Sequence, residues 1–208
     1  MRPFFTAQRR WPPGWTRPHV YLCPDLTVDE GLRDLVDRAR RVLADEPVSI
    51  VADRWLHATV QRVDGVRCVD LSPGQRDDLA AALRAELATV PAGTLSAGPA
   101  LAGDSGVVLD VDGDLPGQLW TAIASAVRTA ISTTLGAAAV ATRPGPPHVS
   151  IAYAIGETDS GRLQSRLRRE ARPARAPLTV AAVELVDVEQ DPDAGTYRWQ
   201  PWARIALS

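Results

Sequence analysis

Apolar and polar positions alternate between helical and extended spacing along most of the chain. Helical spacing covers residues 25–45, 115–135 and 159–169, and it also follows Ser72-Pro73, a pair that commonly starts a helix. Extended patterns separate these segments. The strands that they predict are 19–23, 55–63, 94–101, 106–111, 148–155, 178–188 and 197–206.

The first two helices have clear apolar faces. Asp25 or Thr27 is the predicted N-cap of the first helix. Its predicted buried positions are Leu32, Leu35, Val36, Ala39, Val42 and Leu43, and those of the second are Leu79, Leu83 and Leu87. Strands and helices do not alternate regularly, so the pattern predicts an α+β fold rather than a doubly wound sheet. We expect a bilobal fold, in which two antiparallel-rich sheets with flanking helices surround a central cleft.

Residues 1–17 depart from this regular pattern. They are rich in proline, arginine and aromatic residues, and they predict an irregular N-terminal arm ahead of a single bilobal domain over 18–208. The aromatic residues of the arm are Phe4, Phe5, Trp11 and Trp15. We expect them to pack on the domain, with stacking against a nucleic-acid base as the alternative.

Composition and charge narrow the possible partners. The chain has 208 residues and a net charge of −2, and all 23 of its basic residues are arginine, which reflects genome composition more than phosphate recognition. We expect no DNA duplex as a partner, because duplex binding normally needs a basic face. No apolar run approaches the roughly 20 residues that span a bilayer. Cys23 and Cys68 suggest no disulfide framework, so we expect a reduced, cytoplasmic monomer without a membrane partner.

Two predicted strands carry the same short pattern of histidine, any residue, hydroxyl residue and aliphatic residue. Its copies are residues 57–60 (HATV) and 148–151 (HVSI). In a strand, residues i and i+2 share a face, so each histidine points the same way as its hydroxyl residue. The side chains placed in this way are His57, Thr59, His148 and Ser150. An imidazole beside a hydroxyl, present twice, suits acid/base chemistry at a phosphate.

Three nearby residues are candidates for contacts with the substrate. Gln61 is expected on the same face as His57, where its amide could hydrogen-bond the substrate. Arg143 lies in a loop rich in Ala, Gly and Pro before the second pattern and could reach the cleft. If the first strand is regular, Arg62 points to the opposite face, which makes it a weaker candidate than Gln61.

The remaining residues around the patterns are expected to be structural. Regular alternation places Ala152 and Ala154 on the cleft face and Tyr153 on the core side. His19 lacks the hydroxyl partner and is expected to be structural or at the rim of the cleft. Together with the two pattern histidines it could suggest a three-histidine metal site, but the hydroxyl pairing argues against that site. We therefore expect no metal and no cofactor.

The duplicated pattern resembles the His-x-Thr/Ser-x signature of the two-histidine (2H) phosphoesterase superfamily, the LigT-like or "2′-5′ RNA ligase" group. Pro147 before the second histidine, the order of elements and the closing strands are similar too, over most of residues 19–207. The resemblance implies a bilobal fold with both pattern strands central in it. It also implies metal-independent action on 2′,3′-cyclic phosphates or 2′-5′ phosphodiester linkages.

The chemistry of phosphodiester hydrolysis independently suggests roles for the same four side chains. Hydrolysis of a cyclic phosphodiester needs a base to activate water and an acid to protonate the leaving oxygen, and histidine can serve as either near neutral pH. Which of His57 and His148 is the acid stays open. Thr59 and Ser150 would hydrogen-bond the non-bridging phosphate oxygens.

Two functions therefore compete. The first is a phosphodiesterase acting on an RNA end or a small nucleotide, and the second is an RNA- or nucleotide-binding module that keeps the pocket without turnover. Ligation is disfavoured, because excess water opposes it and the chain has no lysine to act as a nucleotidyl carrier.

Overall fold

The computed structural model describes residues 1–7 and 10–208 and confirms the predicted α+β fold. The helices are α1 (Phe4–Ala7), α2 (Glu30–Leu43), α3 (Pro73–Leu87), α4 (Leu119–Leu135) and α5 (Ser160–Glu170). The strands are β1 (Thr16–Leu22), β2 (Val48–Ile50), β3 (Ala58–Arg62), β4 (Gly93–Ala102), β5 (Gly106–Val111), β6 (His148–Ala154), β7 (Ala176–Val180), β8 (Ala182–Asp191) and β9 (Thr196–Ala206). In the described part of the chain, no helix is both long and apolar enough to cross a membrane.

The helices form for the reasons that the sequence suggested, with shifted boundaries at some starts. All six predicted apolar positions of α2 are buried, as are the three leucines of α3. Ser72 caps α3, since its side chain accepts from the Gln75 N–H while the Gln75 side chain accepts from the Ser72 N–H. The predicted cap of α2 was wrong, because the helix begins at Glu30 and Asp25 instead accepts from Thr27 in a preceding turn.

Two other predicted boundaries were wrong. The strand predicted over 178–188 is two strands, β7 and β8, which separate at Ala181. The first strand begins at Thr16 rather than His19, because residues 16–21 pair with β8. The predicted irregular arm is therefore shorter, and part of it is the helical turn α1. Residues 8–9 of the arm lie outside the described residues.

The sheet consists of two halves that meet at a single residue pair. Its order is β7-β4-β5-β6-β3-β1-β8-β9, with β2 on the side of β6, and each recorded pairing is antiparallel. The seam between β6 and β3 is the pair Ala58–Val149. We predicted two sheets, and the structure instead has one sheet with this narrow seam. The two pattern strands are therefore adjacent and central.

Each pattern strand contains a bulge immediately after its hydroxyl residue. Opposite β1, the pairing passes from Thr59 directly to Gln61, which leaves Val60 as the extra residue. Opposite β5, it passes from Ser150 directly to Ala152, which leaves Ile151 as the extra residue. Each bulge reverses the alternation of side chains for the rest of its strand.

Candidate active site

The two patterns face one cleft of about 530 Å³. Because Ala58 lies opposite Val149 in an antiparallel pair, His57 is placed across from Ser150 and Thr59 across from His148. The four predicted side chains therefore form a compact quartet around the seam, and all four line the cleft. The structure thus brings together the residues that the pattern singled out, in an approximately two-fold arrangement.

His57 is buried in an aromatic cage. Its ring stacks on Tyr21 at 4.2 Å between centroids and 20° between planes, and Trp199 meets it edge-on at 4.9 Å. Its Nδ1 lies 2.9 Å from the Trp55 carbonyl oxygen, which can only accept, so Nδ1 carries the proton and Nε2 keeps its lone pair. Burial lowers the pKa of His57 to about 4, the bond to Trp55 opposes this shift, and His148 lowers the pKa further. His57 is therefore neutral at neutral pH.

His148 has the same local geometry in an exposed setting. Its Nδ1 lies 2.8 Å from the Pro146 carbonyl oxygen, so it also donates from Nδ1 to the residue two positions earlier. The histidine is the first residue of β6 and is exposed to solvent. The two imidazoles are therefore oriented alike by the backbone, but only His57 is enclosed by other rings.

Each hydroxyl residue of the quartet interacts with a tyrosine. Burial raises the pKa of Tyr21 well above its ordinary value, and the interaction with the Thr59 hydroxyl acts in the opposite direction. Burial likewise raises the pKa of Tyr153, and the Ser150 hydroxyl opposes it. Both phenols are therefore neutral at physiological pH, so they can orient the two hydroxyls without adding negative charge to the cleft.

The expectation for Gln61 was wrong. The bulge at Val60 turns this side chain away from the cleft, and it is completely buried on the helix side of the sheet. Its Oε1 accepts from Arg128 Nη1 at 2.7 Å and its Nε2 donates to the Thr142 carbonyl at 3.0 Å. Gln61 therefore joins the first pattern strand to α4 and to the loop before His148.

The expectation for Arg62 was wrong for the same reason. The bulge at Val60 turns this side chain into the cleft beside Thr59, whereas a regular strand would have pointed it away. Its Nε donates to Asp64 Oδ1 at 3.0 Å and its Nη2 donates to Thr142 Oγ1 at 2.8 Å. The guanidinium is thereby held in one orientation, with about half of the side chain exposed. Arg62 is consequently a cation directed at the site by two fixed contacts.

The bulge at Ile151 reverses the expectations on β6 as well. Ala152 belongs to the hydrophobic core, whereas Tyr153 lines the cleft. Its opposite neighbour on β5 is Gly106, where an added Cβ would lie 2.6 Å from the Ala152 carbonyl oxygen. Glycine is needed at this position because the bulged strand brings its backbone so close.

Arg143 and His19 occupy the edges of the site. Arg143 is exposed and does not line the main cleft, but it shares a neighbouring pocket of about 200 Å³ with Thr59, Arg62 and His148. His19 is buried and lines the main cleft, with Nδ1 3.1 Å from the Arg17 carbonyl oxygen. Within 1–7 and 10–208, no group of three His, Cys, Asp or Glu side chains is placed to hold a metal ion.

Three of the four aromatic residues of the arm, Phe4, Phe5 and Trp11, pack on the domain as predicted, whereas Trp15 is exposed. Phe4 lies against Tyr153 at 4.6 Å and Tyr197 at 5.8 Å between ring centroids. Trp11 lies near Tyr197 and, like Phe4, lines the cleft. Sequence reasoning missed Tyr197, because it comes from the closing hairpin and no local pattern links it to the histidines.

Comparisons with known proteins support the fold. No family model matches the chain, and no curated protein matches it. Among solved structures, TT0787 of Thermus thermophilus has a TM-score of 0.67 at 14% identity, over 92% of this chain and 97% of that one. E. coli LigT in apo form has a TM-score of 0.61 at 15% identity, over 93% of this chain and 98% of LigT, and LigT has also been solved complexed with 3′-AMP.

A third similar structure is the MHV ns2 PDE domain, with a TM-score of 0.56 at 15% identity over 82% of this chain and 99% of that one. The predicted resemblance to the LigT-like group is thereby confirmed at the level of the fold.

Proposed function

We propose that this chain is a metal-independent phosphodiesterase that hydrolyses 2′,3′-cyclic phosphate or 2′-5′ phosphodiester linkages of RNA ends or small nucleotides. The observation that carries the proposal is the quartet at the seam, in which two imidazoles and two hydroxyls from adjacent strands face one cleft. Two imidazoles supply both proton transfers of the reaction, and the hydroxyls supply donors for the phosphate oxygens. The LigT-like fold agrees with a phosphodiesterase activity.

The different surroundings of the histidines suggest their roles. His57 is neutral and its Nε2 lone pair can accept a proton, so we assign it as the base that activates water. The water oxygen bonds to phosphorus while its proton passes to His57. In the same step the bond from phosphorus to the leaving ribose oxygen breaks, and that oxygen receives a proton from His148. The cycle closes when His57 releases the proton that it took from water and the exposed His148 regains one from solvent.

The hydroxyls and Arg62 bind the non-bridging oxygens in this scheme. Thr59 and Ser150 donate from opposite sides of the seam, and the negative charge of the phosphate raises the proton affinity of His57 when the substrate is bound. The nucleotide seen with E. coli LigT, 3′-AMP, has the chemistry expected of a product of such a reaction. A nucleotide in the present cleft would place its phosphate at the quartet.

The test is hydrolysis of nucleoside 2′,3′-cyclic phosphates and of a 2′-5′ dinucleotide in the presence of a chelator. We expect turnover by the unchanged chain and loss of turnover in His57→Ala and in His148→Ala, with folding of each variant checked by circular dichroism. Nucleotide binding without any turnover would instead support a non-catalytic binding module. Turnover that persists in either variant would contradict the two-histidine mechanism.

A further inference from the structure

The loop that precedes His148 is stiff, but packing does little to hold it. It covers residues 143–147, and three of its five residues are proline, at positions 144, 146 and 147. Each proline restricts its own backbone torsions and those of the residue before it. The loop borders two cavities, one of about 690 Å³ beside α4 and one of about 200 Å³ beside the active cleft. Its position therefore depends on how its two ends are fixed.

The second end of the loop orients a reacting group. The Pro146 carbonyl accepts from His148 Nδ1 at 2.8 Å, and the Pro147 carbonyl accepts from the Val111 N–H at 3.0 Å. In the proposed reaction His148 is the acid, which needs its proton at Nε2 directed at the leaving oxygen. Movement of the Pro146 carbonyl would rotate the imidazole or change which nitrogen carries the proton.

The first end of the loop is anchored at Thr142. Its N–H donates to Asp64 Oδ2 at 2.6 Å. Its carbonyl accepts from Gln61 Nε2 at 3.0 Å and from Arg128 Nη1 at 3.3 Å. The N–H belongs to the peptide group before this residue and the carbonyl to the one after it. Together the three contacts therefore set the direction in which the chain enters the loop.

Asp64 joins this anchor to the active cleft. Its Oδ2 holds the Thr142 N–H, while its Oδ1 accepts from Arg62 Nε at 3.0 Å. Only 17% of its side chain is exposed, and it lines neither the cleft nor the small cavity beside it. Hydrogen bonds to a carboxylate are stronger than those between neutral groups. One carboxylate thus fixes a cation of the cleft and the start of the loop, without reaching the substrate itself.

We infer that Asp64 is a positioning residue of the active site, which acts on the phosphate through Arg62 and on the acid His148 through Thr142 and the stiff loop. Catalytic groups must be held to within about 0.5 Å of their productive places, and this support comes from residues behind them. The kinetic consequences of the inference rest on the proposed function. Its structural consequence, the orientation of His148, does not need turnover.

The kinetic experiment measures hydrolysis of adenosine 2′,3′-cyclic phosphate by Asp64→Ala. We expect kcat to fall by about tenfold, because His148 is misplaced, and KM to rise by about threefold, because Arg62 loses its orientation. In an Arg62→Gln background the effect on KM should disappear, whereas the effect on kcat should remain. An unchanged kcat in Asp64→Ala, or an effect on kcat that disappears in the Arg62→Gln background, would overturn the inference.

The matched control is Asp70→Ala, which also breaks a pair between an aspartate and an arginine. Asp70 accepts from Arg67 Nε at 2.8 Å and from Arg67 Nη2 at 2.5 Å, on the surface and outside the cleft lining. We expect this variant to keep the kcat and KM of the unchanged chain. A loss of kcat equal to that of Asp64→Ala would show that the kinetics follow the loss of any ion pair, which would overturn the inference.

A spectroscopic experiment separates this inference from the proposed reaction. It records the nitrogen chemical shifts of the imidazoles in the full chain without ligand. Asp64→Ala should convert His148 from the form protonated at Nδ1 to a mixture of both tautomers, while His57, held by the Trp55 carbonyl, keeps its form. This result would support the inference even if the chain hydrolyses nothing. An unchanged His148, or equal changes in both histidines, would overturn it even in an active enzyme.

Discussion

The two halves of the site have the same local design in different surroundings. In each, an imidazole donates from Nδ1 to a carbonyl two residues earlier, a hydroxyl residue follows, and a bulge comes directly after it. The halves differ in enclosure, because His57 is only 5% exposed between two aromatic rings whereas His148 begins its strand in solvent. A symmetric pattern of residues therefore yields an asymmetric pair of acid/base groups.

The difference shows where the asymmetry originates. The strands that carry the patterns do not enclose His57. Tyr21 comes from β1 and Trp199 from β9, and both belong to the half of the sheet that contains β3. His148 instead follows a loop rich in proline and glycine. The surroundings contributed by other elements, rather than the repeated pattern, enclose His57 and lower its pKa.

The largest expected effect on activity comes from removing one of the two histidines of the quartet. Either His57→Ala or His148→Ala should lower kcat by about 10²–10⁴-fold, because each removes one proton transfer. The double variant should be scarcely slower than the worse single variant, since the two groups act in one step. Single-turnover rates with a cyclic nucleotide test this. Multiplicative effects would indicate that the histidines act independently.

Burial of His57 predicts an acid-sensitive stability that distinguishes the halves. Its pKa falls from 6.5 to about 4 on folding, so the unfolded chain binds more protons between these values. Its contribution is complete above about pH 6.5 and is lost as the pH falls towards 4, a change of about 3 kcal/mol. His57→Gln should reduce the dependence of unfolding free energy on pH in this range, measured by urea unfolding, and leave the part contributed by His19, whose pKa burial also lowers to about 4. An unchanged slope would contradict the burial of His57.

The hydroxyls should matter alike in both halves if they bind the same phosphate. Thr59→Val and Ser150→Ala should each lower kcat by about 10²-fold, as expected for loss of one donor to developing charge. The exchanged hydroxyls Thr59→Ser and Ser150→Thr are the matched controls and should keep most of the activity. A large effect in one half only would show that the phosphate is held from one side.

Gln61 offers a test of the bulge itself. Gln61→Ala should lower the free energy of unfolding by about 1–3 kcal/mol, because it removes the buried hydrogen bonds that Gln61 makes with Arg128 and with the Thr142 carbonyl. The control is Gln200→Ala, since Gln200 is exposed on β9 and should change stability by less than about 0.5 kcal/mol. If Gln61 instead faced the substrate, the variant would raise KM and leave stability intact.

The smallest effect is expected for Arg143. This side chain is exposed and lies outside the main cleft, so Arg143→Gln should change kcat/KM for a small cyclic nucleotide by less than about threefold. Arg62→Gln, a change of the same kind inside the cleft, should raise KM by about tenfold. Equal kinetic effects of the two substitutions would show that the loop that carries Arg143 closes over the phosphate.

Much of the arrangement could be predicted from local patterns. The apolar face of α2, the capping box at Ser72 and the shared direction of each histidine and its hydroxyl follow from period and residue type. These features depend on residues within a few positions of one another, which is the range over which such patterns carry information.

The bulges could not be predicted in the same way. Val60 and Ile151 are ordinary strand residues, and nothing in their types marks them as extra residues in a ladder. A slip of one residue exchanges the two faces, so the expectations for Gln61, Arg62 and Tyr153 all failed together. The enclosure of His57 by Trp199 could not be predicted from the sequence for another reason, because it depends on contacts between segments that are far apart along the chain.

The most direct test of the central claim is NMR of the imidazole nitrogens during titration with a nucleoside 3′-phosphate. The chain has three histidines, so substitution of each by glutamine assigns the signals. If one phosphate lies between the two halves, the chemical shifts of His57 Nε2 and His148 Nε2 should change together during the titration. Both changes should give the same dissociation constant and a stoichiometry of one ligand per chain. A shift of only one of them, or two different dissociation constants, would contradict a shared phosphate site.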